Sequence, residues 1–318
     1  MPLRRILTCA ILAVCAIGAA IGAAARQQPV FRGAGDVVRV FVTVTDRDGR
    51  LVTNLTQPDF EVRDDGKPQP ITVFDNTPRP IRVIVMLDVS SSMDGNLPLL
   101  RAAADQLITR LEPRDAARLG TFGHDVTISP SFTRDAGELR SVLPAAIDRT
   151  APTPLWRAID EAMNAFGDTG EDRRVVLVLS DGHDSGFIPG KRFISQIEVI
   201  DRARNEEVMI YAVGMRSGNR QVQPGIGRGG LQAMLTTDLP DPGLARVAEE
   251  SGGGYAEIKF GQDLAASFAA VVDELHSQYT LGFAPPKRDG KTHKVEVRLA
   301  TGGLKARGRK SYVAPKAK

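Results

Sequence analysis

Two stretches constrain this chain more than anything else in it: IRVIVMLDV at 81–89 and RRVVLVLSDG at 173–182. Each is a nearly unbroken aliphatic run that ends at an aspartate. A strand with one wet face alternates apolar and polar residues, whereas a run of this kind belongs to a strand covered on both faces. What lies between has helical spacing. Leu100, Ala104, Leu107, Ile108 and Leu111 recur at i, i+4, i+7, i+8 and i+11. AARLGTFG (116–123) reads as a further strand, with VTISPSF (126–132) as its hairpin partner. Helices are expected at 135–147, at 154–166 with Pro154 in the first turn, near 193–204, at 244–251 and at 263–276. The last carries Leu264, Phe268, Val271, Val272 and Leu275 on its apolar face. EVMIYAVG (207–214) and GYAEI (254–258) supply two more strands, and the Gly-rich interval 215–240 reads as a surface loop. Strands alternating with helices imply an α/β fold: a doubly wound, mostly parallel sheet with helices on both faces.

The flanks follow a different rhythm. VVRVFVTVTD alternates and is followed by a turn at Asp48-Gly49; DFEVRDDGKPQPITVF repeats the scheme around Asp65-Gly66. DRDG at 46–49 has only the opening of a calcium loop and is read as a turn. NTPRP (76–80) is a linker by its prolines. After His276, YTLGF, KVEVRLA, LKARG and SYV return to strand patterning. Each flank is too short to stand alone. The expectation is therefore one β-sandwich formed by the N- and C-terminal flanks (36–77 and 278–314), with the α/β domain (80–277) inserted between them.

Arg4 and Arg5 precede a charge-free stretch, Ile6–Ala25, that closes on Ala23-x-Ala25. This is the pattern of a secretory signal peptide (1–25), and export to the periplasm or beyond is expected. An uncleaved inner-membrane anchor is the other reading of the same run. Cys9 and Cys15, the only cysteines, both fall inside it, so the exported chain has no disulfide, no cysteine nucleophile and no thiolate metal site. With 42% apolar and 25% charged residues, stability must come from a buried core. The net charge of +3 argues against a nucleic-acid binder. The stretch 287–318 nonetheless holds eleven Lys/Arg against two acids, which fits a solvated basic face or attraction to an anionic envelope surface.

In a doubly wound sheet, ligands bind beyond the carboxyl ends of the strands, where the strand order reverses. Asp88 and Asp181 end two such strands. Ser90 and Ser92 follow Asp88, and Thr153 in APTPLW precedes a helix at the same expected edge. Two carboxylates and three hydroxyls, with no His or Cys, suit a hard cation such as Mg²⁺ or Mn²⁺. Neutral hydroxyl ligands leave the ion electron-poor and able to accept a carboxylate from another molecule. Capping of the next helix by Asp88 and Ser90 is the plainer reading of DVSSSM alone.

Asp88-x-Ser90-x-Ser92, the later Thr153, and Asp181 in LVLSDG resemble the metal-ion-dependent adhesion site of von Willebrand factor type A domains. APTPLWRAI departs from the usual GGTPL only ahead of the threonine. The resemblance spans 82–277, and the flanks resemble those of the bacterial VWFA-related family common in acidobacteria. It implies that Ser90, Ser92 and Thr153 are hydroxyl ligands and that Asp88 and Asp181 anchor the ion partly through water. It also implies that a protein partner supplies a Glu or Asp as the outer ligand, and that the last helix shifts on binding, here directly into YTLGF. A binding module rather than an enzyme is expected. A hydrolase using Ser90 or Ser92 with His183, and a structural envelope module with a vacant site, are the alternatives. GIGRGG (225–230) lacks the flanking strand and helix of a nucleotide-binding loop.

Overall fold

In the computed structural model, the described residues are 37–167, 172–182, 184–185, 190–215, 242–258 and 264–316. The signal-peptide stretch, GIGRGG and His183 lie outside them, as do the side chains of Leu264 and Phe268. Among the described residues no helix is long and apolar enough to cross a membrane.

The strands in chain order are β1 (Val38–Thr45), β2 (Phe60–Asp64), β3 (Lys67–Gln69), β4 (Val73–Asp75), β5 (Ile81–Asp88), β6 (Ala116–Phe122), β7 (Val126–Ile128), β8 (Arg173–Ser180), β9 (Val208–Met215), β10 (Tyr255–Ile258), β11 (Tyr279–Phe283), β12 (Thr292–Leu299), β13 (Lys305–Arg307) and β14 (Ser311–Val313). The helices are α1 (Leu97–Arg110), α2 (Ala136–Ser141), α3 (Leu155–Asn164), α4 (Gln196–Glu206), α5 (Pro242–Ser251) and α6 (Leu264–His276).

The central sheet has the order β10-β9-β8-β5-β6-β7, parallel throughout except for the β6–β7 hairpin. Its covering follows from strand geometry, since successive side chains point to opposite faces. Ile81, Val83, Val85 and Leu87 of β5 pack with Leu100, Ala104 and Leu107 of α1 and Val272 and Leu275 of α6. Ile84 and Met86 pack on the other face with Leu155 and Ile159 of α3, Val199 of α4 and Leu244 of α5. Both faces are therefore dry, as the unbroken apolar runs require. The sheet is doubly wound: the chain leaves β5 toward β6 on one side and later returns on the other, so β5 and β8 flank the switch in direction.

Two antiparallel four-stranded sheets, β13-β1-β11-β4 and β14-β12-β2-β3, are built from the two ends of the chain. Their inner faces share one core of Val40, Val42, Phe60, Val62, Tyr279, Leu281, Phe283 and Tyr312. This is the sandwich with the α/β fold between its halves. The segment read as one hairpin unit divides: β2 and β3 pair around Asp65-Gly66, but β4 crosses to the other sheet and pairs with β11. The helix expected over 135–147 ends at Ser141, because Pro144 has no N–H to donate and disfavours helical backbone in the residue before it. DRDG is a turn: Asp46 Oδ1 accepts from the backbone N–H of Asp48 and Arg50, both at 2.9 Å.

Buried and half-buried polar contacts fasten α6 to both the sandwich and the central sheet. Glu274 accepts from Thr43 Oγ1 (3.0 Å), Tyr211 OH (2.5 Å) and Arg307. Arg173, 1% exposed, donates to the carbonyls of Leu275 (2.7 Å) and Gln278 (3.0 Å). Part of the basic surplus near the C-terminus is used the same way: Arg307, Arg309 and Lys310 pair with Glu274, Glu207 and Glu249.

Candidate metal centre

β5 and β8 run side by side with Leu87 opposite Leu179, which sets Asp88 beside Ser180 and one residue from Asp181. At the end of β5 the chain turns sharply. Val89 N–H donates to Phe122 O (3.0 Å), Ser90 N–H to Asp88 Oδ1 (2.9 Å) and Ser91 N–H to Ala151 O (3.1 Å). A single 3₁₀ turn, Ser91–Met93, follows. Its anchor is Met93, fully buried against the α1 face; a side chain buried to that degree stabilises by roughly 1.5–3 kcal/mol. The turn therefore holds Ser90 and Ser92 at the sheet edge. Thr153 arrives from the other side, ahead of α3. Its N–H donates to Ser185 Oγ and its carbonyl accepts from Ser185 N–H, both at 2.9 Å. Gly182, at φ +93°, makes the bend after Asp181 in a conformation that L side chains rarely adopt.

Four of the five side chains form one hydrogen-bonded row, and Asp88 is held beside it by Ser90 N–H and Ser180. Thr153 Oγ1 donates to Ser90 Oγ (2.9 Å), Ser90 and Ser92 Oγ lie 3.0 Å apart, and Ser92 Oγ donates to Asp181 Oδ1 (2.9 Å). Ser180 Oγ donates to Asp88 Oδ2 (2.5 Å) and accepts from Gly182 N–H (3.0 Å). Asp88 and Ser90 are fully buried, Asp181 and Thr153 nearly so, and Ser92 is exposed. The cluster is thus closed below and open on the Ser92 side. Burial pushes the Asp88 carboxyl up to about 7; hydrogen bonds from Ser180 and Ser90 pull it down, and the neighbouring Asp181 carboxylate pushes it up.

The donor set is all oxygen. A hard cation with bonds of about 2.1 Å holds adjacent ligands roughly 3 Å apart, close to the spacing of the three hydroxyls. The residues present therefore fit a divalent ion of the magnesium class. Ser180 and Ser185, which position Asp88 and Thr153, escaped the sequence reading. Ser180 sits inside the quoted LVLSDG, but nothing in a sequence says that its hydroxyl faces the neighbouring strand. The described histidines bond elsewhere: His124 to Thr150, His276 to Asp115, and His293 to Asp64 and Asp289.

The family model of the von Willebrand factor type A domain matches residues 83–183. No curated protein matches the chain. Similar solved structures include a von Willebrand factor type A protein from Catenulispora acidiphila, 12% identical over 90% of this chain and 76% of the other, at a TM-score of 0.48. Another is an aerotolerance-related membrane protein from Bacteroides fragilis, 17% identical over 61% and 98%, at 0.47. A third is proximal thread matrix protein 1 of the mussel byssus with a zinc-occupied MIDAS motif, 18% identical over 68% and 50%, at 0.48. Identities this low leave the chemistry of the site to this chain's own residues. Within the doubly wound fold, residues 83–183 match the von Willebrand factor type A domain, and to that extent the chain is similar to proteins that carry one.

Proposed function

We propose that this chain is an exported, divalent-metal-dependent protein-binding module. In this reading Asp88, Ser90, Ser92, Thr153 and Asp181 hold Mg²⁺ or Mn²⁺, and the ion takes a Glu or Asp carboxylate of a partner protein as its outer ligand. Domains of this type bind divalent ions at such sites and mediate protein–protein contacts. The observation that carries the reading is the cluster itself: five oxygen side chains from three loops at one end of the sheet, four of them bonded in a row and Asp88 held beside them by Ser90 N–H and Ser180 Oγ, open on the Ser92 side. Two carboxylates near each other, one of them fully buried, are costly unless a cation balances them. Neutral hydroxyls leave that cation enough residual charge to attract a further carboxylate. The reading includes cleavage of residues 1–25, assignment of 36–77 and 278–314 to the sandwich, and assignment of 80–277 to the binding domain.

The test is retention of envelope proteins on the immobilised chain in Mg²⁺ and in EDTA, with Asp88→Ala as control. One protein retained in Mg²⁺ alone, lost in the Asp88→Ala chain, and released when its own Asp or Glu is neutralised is the expected result. Retention that ignores both EDTA and Asp88→Ala would sink the reading.

A further inference from the structure

A second group of ligating side chains lies in the sandwich, outside the site described above. Asp64 ends β2, Asp65 occupies the β2–β3 turn, and His293 stands on β12, which pairs with β2. His293 Nδ1 lies 3.4 Å from Asp64 Oδ2 and 3.3 Å from Asp65 Oδ2. Ligands about 2.0–2.2 Å from a tetrahedral zinc ion stand about 3.3–3.6 Å apart, so these atoms have the spacing of a coordination edge. Asp64 and His293 are each 3% exposed, whereas the Asp65 side chain is 50% exposed and leaves a path in from solvent.

The groups around this trio orient it. His293 Nε2 faces Asp289 Oδ1 at 3.2 Å. Tyr312 OH donates to Asp64 Oδ1 (2.8 Å), and the backbone N–H of Lys294 donates to Asp65 Oδ1 (3.0 Å), which turns Oδ2 toward the ring. Metal-bound histidines usually give their other N–H to a carboxylate, and ligating carboxylates are themselves hydrogen-bonded. Charge points the same way. One imidazole is paired with three carboxylates, so the cluster stays negative even with the ring protonated. A divalent ion in place of the Nδ1 proton halves that excess around the buried Asp64. An imidazole ligand selects a zinc-class ion over Mg²⁺. The segments that form the sandwich, 36–77 and 278–314, contain no cysteine, so no disulfide within them can staple it.

We propose that Asp64, Asp65 and His293 bind a divalent transition-metal ion of the zinc class, with Asp289 and Tyr312 as outer hydrogen-bond partners, and that the ion clasps the β2–β3 hairpin to β12. The proposal does not depend on the Asp88 site. The test is zinc binding, by calorimetry and equilibrium dialysis, to the full chain carrying Asp88→Ala, Cys9→Ser and Cys15→Ser. One zinc per chain is expected, together with a rise in Tm. Adding Asp65→Asn, a side chain that tolerates the left-handed backbone at this position (φ +46°), should weaken binding by about tenfold or more and abolish the Tm rise. His293→Gln should do the same; if that variant does not fold, Asp65→Asn carries the test alone. No zinc taken up by the starting variant, or uptake unchanged by Asp65→Asn, overturns the proposal.

Discussion

Two buried aspartates of this protein are pushed in opposite directions by their surroundings. Asp88 is raised by burial, and the nearby Asp181 carboxylate adds to the rise. With EDTA present, Asp88→Ala is therefore expected to melt at or above the temperature of the unsubstituted protein, since it removes a buried carboxylate beside another. A clear loss of stability in a denaturant melt would contradict this. Asp115 is also buried, yet it is lowered: burial acts against ionisation, but His276 Nε2 at 3.0 Å and the backbone N–H of Ile81 and Glu112 outweigh it. His276 is raised above its ordinary 6.5: burial works against its charge, while Asp115 and Glu112 favour it. The His276 contribution is fully present below about 6.5 and fades as pH rises through the raised value. The Asp115 contribution is present above about 4 and fades as pH falls through the lowered value. The pair is thus strongest between about pH 4 and 6.5. His276→Gln should cost about 1–2 kcal/mol in urea unfolding near pH 5.5 and distinctly less near pH 9. An equal cost at both would show that the ring acts uncharged.

At the scale of elements, α6 carries polar contacts to both the central sheet and the sandwich. Glu274 collects Thr43 from β1, Tyr211 from β9 and Arg307 from β13. Glu274→Ala leaves a buried phenol and a half-buried guanidinium without this acceptor, and a loss of about 2–3 kcal/mol is expected in denaturant melts. A change under 0.5 kcal/mol would mean that water replaces the carboxylate at no cost. These contacts, made between residues more than thirty apart, were not legible in the sequence; only the apolar stripe of the helix was. The central sheet was legible because unbroken aliphatic runs leave little choice of surroundings. The crossing of β4 to the second sheet was not, because a two-residue period says which face is buried but not which neighbour is paired. Likewise Asp88, Ser90, Ser92, Thr153 and Asp181 could be picked out because they sit at strand and helix ends. Asp64 and Asp65 lie at a turn, and nothing in the sequence places His293 beside them; that takes the pairing of β2 with β12.

At the scale of the whole molecule, the two chain ends interlock. β11 lies between β1 and β4, and β12 between β14 and β2, so each sheet takes central strands from both ends. A chain cut after Ser277 loses β11–β14, and the segment 38–75 should become sensitive to limited proteolysis; protection equal to that of the intact chain would mean that the first flank folds unaided. The most direct measurement of the central claim is thermal unfolding of the full chain against Mg²⁺. Saturation at a hundred times Kd should add about 2.7 kcal/mol by mass action, with no effect of Mg²⁺ on Asp181→Ala. A melting temperature that Mg²⁺ and Mn²⁺ leave unchanged, or raise equally in Asp181→Ala, would contradict a metal centre built on Asp88, Ser90, Ser92, Thr153 and Asp181.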